Sequence, residues 1–199
     1  MADRFFTIAA KSEAVFKEKM SKFLAFAVPV VTRDEAKAAV AGYAKKYHDA
    51  RHVCWAFMLG ADRLDFLSSD NGEPSGTAGK PILGQINSFG LTNVVIVVVR
   101  YFGGIKLGTS GLIAAYREAA RLALAGAEIV EGFETTDLTA TFSYIAMNDI
   151  MKVLKNSPAE IVSQNFDNAC TVVVRIRSGE AGAIGARLSS AGASVTANK

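Results

Sequence analysis

The sequence predicts an α+β protein in two domains, residues 1–133 and 134–199, the second a ferredoxin-like βαββαβ module. Three observations carry this reading. Val94 to Val99 is an unbroken β-branched run, which suits a core strand buried on both faces. It ends in Arg100 and a loop holding Gly103, Gly104, Gly108 and Gly111, and the loop opens an alanine- and leucine-rich helix from Leu112 to Ala125. The chain beyond residue 133 then follows a β-α-β-β-α-β pattern of its own.

Taken in order, Thr7 to Ala9 is a short strand and Phe23 to Val30 a clearer one, with Pro29 near its end. Thr32 and Glu35 form a capping box that starts a helix running to about Tyr47, with Ala36, Ala39, Val40, Tyr43 and Ala44 on one side. Val53 to Leu59 is a strand on which His52, Cys54, Ala56 and Met58 share a face, and Arg63 to Leu67 pairs with it across Gly60-Ala61-Asp62. A polar loop, Ser68 to Thr77, leads to a helix from Ala78 to Phe89 that tolerates Pro81 in its first turn, with Gly90 as its stop. In the second domain Asp137 to Ser143 is a strand. Tyr144, Met147, Ile150, Met151 and Leu154 line an amphipathic helix. Glu160 to Phe166 and Cys170 to Ile176 form a hairpin over Asp167-Asn168-Ala169. Glu180 to Ala191 is a second helix, and Ala193 to Thr196 closes the sheet.

Composition narrows the class. Half of the 199 residues are hydrophobic, enough for two cores, and no low-complexity tract argues for disorder. Cys54 and Cys170 are far apart, so neither a zinc ligand set nor a disulfide framework is written here. The start carries an acid and no apolar signal core, and no apolar run approaches the roughly 20 residues of a membrane span. A soluble cytoplasmic protein is expected. The formal charge of +3 permits a nucleic-acid partner without demanding one, and its surplus lies in residues 1–133, with 16 basic and 13 acidic groups.

The glycine-rich loop after the core strand is the strongest candidate site. Main-chain N–H groups at a helix start attract anions, and glycines let an anion approach the backbone. Lys106 precedes Gly108, so this is no Walker loop, and Gly-x-Gly-x-x-Gly is absent. Candidate anion- or nucleic-acid-binding residues are Lys80, Arg100, Tyr101, Lys106, Thr109 and Ser110; candidate pocket residues are His52, Cys54, Asp70, Glu73, Ser75 and Thr77. Arg100, Lys106 and Lys80 would meet phosphates, and Tyr101 with Phe102 would stack on an unpaired base. The plain alternative is that the glycines and Tyr101-Phe102 serve only packing.

Three stretches, taken together, resemble the YigZ/IMPACT family. They are Asp49 to Ala56 with its His-x-Cys-x-Ala pattern, Ser69 to Leu83, and Val99 to Gly108 continued by Gly111-Leu112 and Ala115-Tyr116. The match covers roughly residues 15–125. Asn71 stands where family members commonly have a second aspartate, which weakens a paired-carboxylate metal site. The resemblance implies a first domain folded like domain IV of elongation factor G and a second like that factor's last domain. It also implies a translation-linked role, and it supplies no catalytic residues.

The leading expectation is therefore a translation-associated regulator that binds RNA or the ribosome through a mildly basic, glycine-rich pocket. It has no catalytic residue, metal or cofactor. A second class is a hydrolase or phosphate-ligand enzyme using His52, Asp70 and Glu73, with a magnesium ion held by the two acids. Direct pairing of His52 with Cys54 is disfavoured, because side chains at i and i+2 of a strand stand roughly 6–7 Å apart. A third is a protein-docking scaffold, with a partner on the second domain.

Overall fold

The computed structural model describes residues 3–167 and 169–198. They divide into two compact units, one of residues 5–132 and one that joins residues 133–198 with Asp3 and Arg4. Asp3 goes with the second unit because its carbonyl accepts from the Glu134 N–H at 2.7 Å and its carboxylate from the Gly179 N–H at 3.0 Å.

The first unit contains β1 (Arg4–Ile8, all but its first residue), β2 (Ser12–Glu18), β3 (Ser21–Pro29), α1 (Arg33–Lys46), β4 (His52–Leu59) and β5 (Asp65–Ser69). It continues with α2 (Gly79–Ser88), β6 (Val94–Tyr101), α3 (Gly108–Ala125) and β7 (Ile129–Phe133). Five strands make an antiparallel sheet in the order β2-β3-β6-β4-β5. The β-branched run thus lies at the centre, and Val94 to Val99 are all fully buried. Ile96 and Val98 face α2 and α3 with Ile82, Ile86 and Tyr116, while Val95, Val97 and Val99 face α1 with Ala36. A strand flanked on both faces needs apolar residues at every position, which is why its sequence shows no alternation.

Two strands escape the sequence reading. β2 carries Glu13, Val15 and Lys17 on its open face and only Ser12, Ala14 and Phe16 on the other, so it lacks a hydrophobic run. β7 is short and pairs with β1 in a separate two-stranded sheet. Helix α1 starts as expected: Thr32 Oγ1 accepts from the Glu35 N–H at 3.1 Å. The return bond goes from Val31 N–H to the Glu35 carboxylate, one residue earlier than a capping box would place it.

The second unit holds β8 (Thr135–Phe142), a 3-10 turn at Tyr144–Ala146, α4 (Met147–Lys155), β9 (Glu160–Phe166), β10 (Cys170–Arg177), α5 (Ser178–Ser190) and β11 (Ser194–Asn198). Its antiparallel sheet runs β11-β8-β10-β9, with the first and third strands of the unit in the middle. Leu138, Ala140, Val172, Val174 and Ile176 bury one sheet face against Ile150, Leu154, Ile184 and Leu188 of the two helices. This is the ferredoxin-like plan. Asn168, in the expected hairpin turn, lies outside the described residues. Among the described residues no helix is long and apolar enough to cross a membrane.

Candidate functional site

Strand β6 delivers Arg100 to the edge of the apolar core, where an ionic group needs a partner. It finds one in the 70–80 loop. Arg100 Nη1 donates to Glu73 Oε1 at 2.6 Å, with the two side chains 7% and 3% exposed. The same Glu73 oxygen accepts from the Tyr116 hydroxyl of α3 at 2.8 Å. Arg100 Nη2 reaches Ser21 Oγ at 3.4 Å, in the β2–β3 hairpin, and Ser21 also accepts from the Gly103 N–H at 3.4 Å. One buried arginine therefore ties together the polar loop, the hairpin and, through Glu73, helix α3.

The polar loop is shaped by Asp70. Its Oδ1 accepts from the N–H groups of Ala78 (3.0 Å) and Gly79 (2.8 Å), and its Oδ2 from that of Gly76 (2.7 Å). Burial pushes this carboxyl up, but the donors of Gly76, Gly79 and Ala78 and the Lys80 charge outweigh it, so Asp70 titrates below the usual carboxylate range. Gly79 is needed because a Cβ there would stand 2.8 Å from the Ser69 nitrogen.

Around this frame lies a cavity of about 370 Å³ lined by Arg51, His52, Glu73, Pro74, Arg100, Phe102, Lys106, Leu107, Gly108, Thr109 and Leu112. The loops at 70–80 and 100–111 meet there. His52 Nδ1 lies 3.0 Å from the Asn71 carbonyl oxygen. A carbonyl only accepts, so Nδ1 carries a proton and donates to it, which leaves Nε2 as the ring's second polar atom. Phe102 is 51% exposed. The N-cap of α3 is Leu107, and among the described residues no side-chain bond caps this helix start, whose first turn contains Thr109. Among the described residues neither Arg51 nor Lys106 is paired with an acid.

The expected site residues fare unequally. His52, Glu73, Arg100, Lys106 and Thr109 line the cavity. Arg100 is a brace, because Glu73 already matches its charge, so it is not a free counter-ion for phosphate as the sequence suggested. Tyr101 is misassigned: β6 extends through it, strand alternation turns it to the α1 side, and its hydroxyl donates to Asp49 at 2.7 Å. Phe102, named with it, lines the cavity. Lys80 lines a separate groove between α2 and α3 with Arg117. Ser75 and Ser110 are exposed and not part of the cavity lining, while Thr77 is buried and donates to the Pro74 carbonyl at 2.6 Å.

The thiol and the acids do not form a reactive centre. Cys54 is fully buried, 2.9 Å from the Asp70 carbonyl oxygen to which it donates and 3.4 Å from the Tyr116 hydroxyl. Burial pushes the thiol up to about 12, which leaves essentially no thiolate at neutral pH. Asp70 spends both its oxygens, and Glu73 its Oε1, on the internal bonds just described, against the proposal that the two share a magnesium ion. Among the described residues no group of three or more His, Cys, Asp or Glu side chains is placed to hold a metal. Arg51 and Ser21 were missed as site residues: Arg51 sits inside the first motif with nothing to mark it, and Ser21 acts across a separation of 79 residues.

Fold and site together define a two-unit α+β protein with a cation-lined pocket at the end of its central strand. The chain belongs to the IMPACT family: the Impact N-terminal domain matches residues 19–124. An IMPACT family member of Haemophilus influenzae is 36% identical over 80% of this chain and 79% of its own length. The IMPACT family member YigZ of Escherichia coli is 35% identical over 84% and 82%. Protein IMPACT of Rattus norvegicus is 35% identical over 48% of this chain and 31% of its own. A crystal structure of a hypothetical protein superposes with a TM-score of 0.78 at 30% identity, covering 100% of this chain and 99% of the other.

Proposed function

We propose that this protein is a cytoplasmic regulator of translation that binds RNA, free or on the ribosome, through the cavity at the end of β6. The observation that carries the reading is the lining itself. An exposed aromatic ring, Phe102, stands beside Arg51 and Lys106, which have no acidic partner among the described residues, and beside the uncapped first turn of α3. Cations and main-chain donors suit phosphate, and an open ring suits an unpaired base. The translational link comes from the resemblance to translation-linked members of the family.

Fluorescence anisotropy with labelled single-stranded and hairpin RNA at 50 and 200 mM salt tests this. Binding that weakens with salt is expected, with a log–log slope of roughly −1 to −2 for two phosphate contacts. Absent or salt-insensitive binding would count against it.

A further inference from the structure

We infer that the cavity seats one unstacked nucleotide as a nucleoside 5′-phosphate, its base on Phe102 and its phosphate on Lys106 and Arg51. For a nucleotide within a strand, this rests on the RNA-binding reading above. The volume of about 370 Å³ is near the small end of the ~300–1,000 Å³ typical of small-molecule pockets, on the scale of one nucleotide. Pro74, Phe102, Leu107 and Leu112 supply apolar wall for a base. The Phe102 ring is held from one quarter: Arg100 Cζ lies 5.6 Å from its centroid and 5.6 Å from that of buried Phe23. The residue keeps 51% of its surface exposed, which leaves the side chain accessible to a base.

The polar groups are of the right kinds. Lys106 and Arg51 present charge, and Thr109 lies in a helix start whose main-chain N–H groups no side chain caps among the described residues. His52 Nε2 is left to meet a polar group of the ligand, since Nδ1 is committed to Asn71. Arg100 borders the cavity as a brace, its Nη1 and Nη2 taken by Glu73 and Ser21, so the phosphate falls to Lys106 and Arg51. A paired duplex hides its base faces from Phe102, so the nucleotide must be unpaired.

The test uses the full chain with adenosine 5′-monophosphate, adenosine, inorganic phosphate and a 5′-phosphorylated RNA hexamer, comparing the unaltered protein with Phe102→Ala, Phe102→Tyr and Lys106→Ala. The monophosphate is expected to bind more tightly than adenosine or phosphate. Phe102→Ala should weaken the monophosphate and the hexamer by about tenfold or more, and Phe102→Tyr should restore both. Lys106→Ala should lower the salt slope by about one. A hexamer that binds Phe102→Ala and Lys106→Ala as it binds the unaltered protein overturns this inference and leaves the RNA reading standing. Absent hexamer binding overturns the RNA reading; monophosphate binding lost in Phe102→Ala would then support a free nucleotide as the ligand. Binding of neither overturns both.

Discussion

Glu73 Oε1 receives the Arg100 guanidinium at 2.6 Å and the Tyr116 hydroxyl at 2.8 Å, out of contact with solvent. One oxygen atom thereby joins the 70–80 loop to the central strand and to α3. A buried ion pair stabilises little in itself, but removing one partner strands the other charge. Glu73→Ala is expected to lower stability by about 3–5 kcal/mol, and Glu73→Leu with Arg100→Met to recover most of that loss. Urea denaturation measures both. A single variant within the scatter of the unaltered protein would show that the pair is not needed.

Asp70 gives the loop an acid sensitivity of definite sign. Its folded-state value is depressed, so its contribution is complete above the ordinary carboxylate range and fades as pH falls through the depressed value. Asp70→Asn should cost about 2 kcal/mol near neutrality, with the difference shrinking below about pH 4. Denaturation midpoints of the two proteins from pH 7 to pH 3 follow this directly. A difference that grows on acidification would reverse the assignment.

With its thiol pushed up to about 12, Cys54 should react with iodoacetamide only when the loop opens. Peptide mapping after timed alkylation separates it from Cys170, which is also buried. Slow labelling that accelerates in parallel with unfolding across pH 6–9 is expected. Rapid labelling at pH 7 would restore the nucleophile.

The glycine loop owes part of its composition to packing. A Cβ on Gly103 would overlap the Met20 carbonyl oxygen in the β2–β3 turn, whereas one on Gly84 of α2 meets nothing within 4 Å among the described residues. Gly103→Ala is expected to cost about 1–3 kcal/mol, and Gly84→Ala to add about 0.5–1 kcal/mol through helix propensity. Thermal melts of the two variants should move in opposite directions.

The parts legible in the sequence were those written locally. Val94 to Val99 announced a doubly covered strand, and Thr32 with Glu35 a helix start. The alternation after residue 133 outlined the ferredoxin-like unit. What eluded reading was set by contacts distant in sequence. Tyr101 turned away because β6 runs two residues past its β-branched run, a length fixed by pairing with Lys22 of β3. Arg100 looked like a phosphate ligand because nothing near it in the chain shows that Glu73 will neutralise it. Helix α3 begins at Gly108, four residues before the Leu112 start read from its alanines and leucines, and Gly108, Ser110 and Gly111 carry no helix-forming signal that would have shown it.

A negatively charged strand should touch the molecule at the end of β6. Amide chemical-shift mapping of the full chain during titration with a single-stranded RNA hexamer locates that place. Saturable shifts centred on Arg51, Phe102, Lys106 and Thr109 are expected, with the second unit little changed. Shifts confined to the α4–α5 side, or to the Lys80–Arg117 groove with the cavity silent, would contradict it.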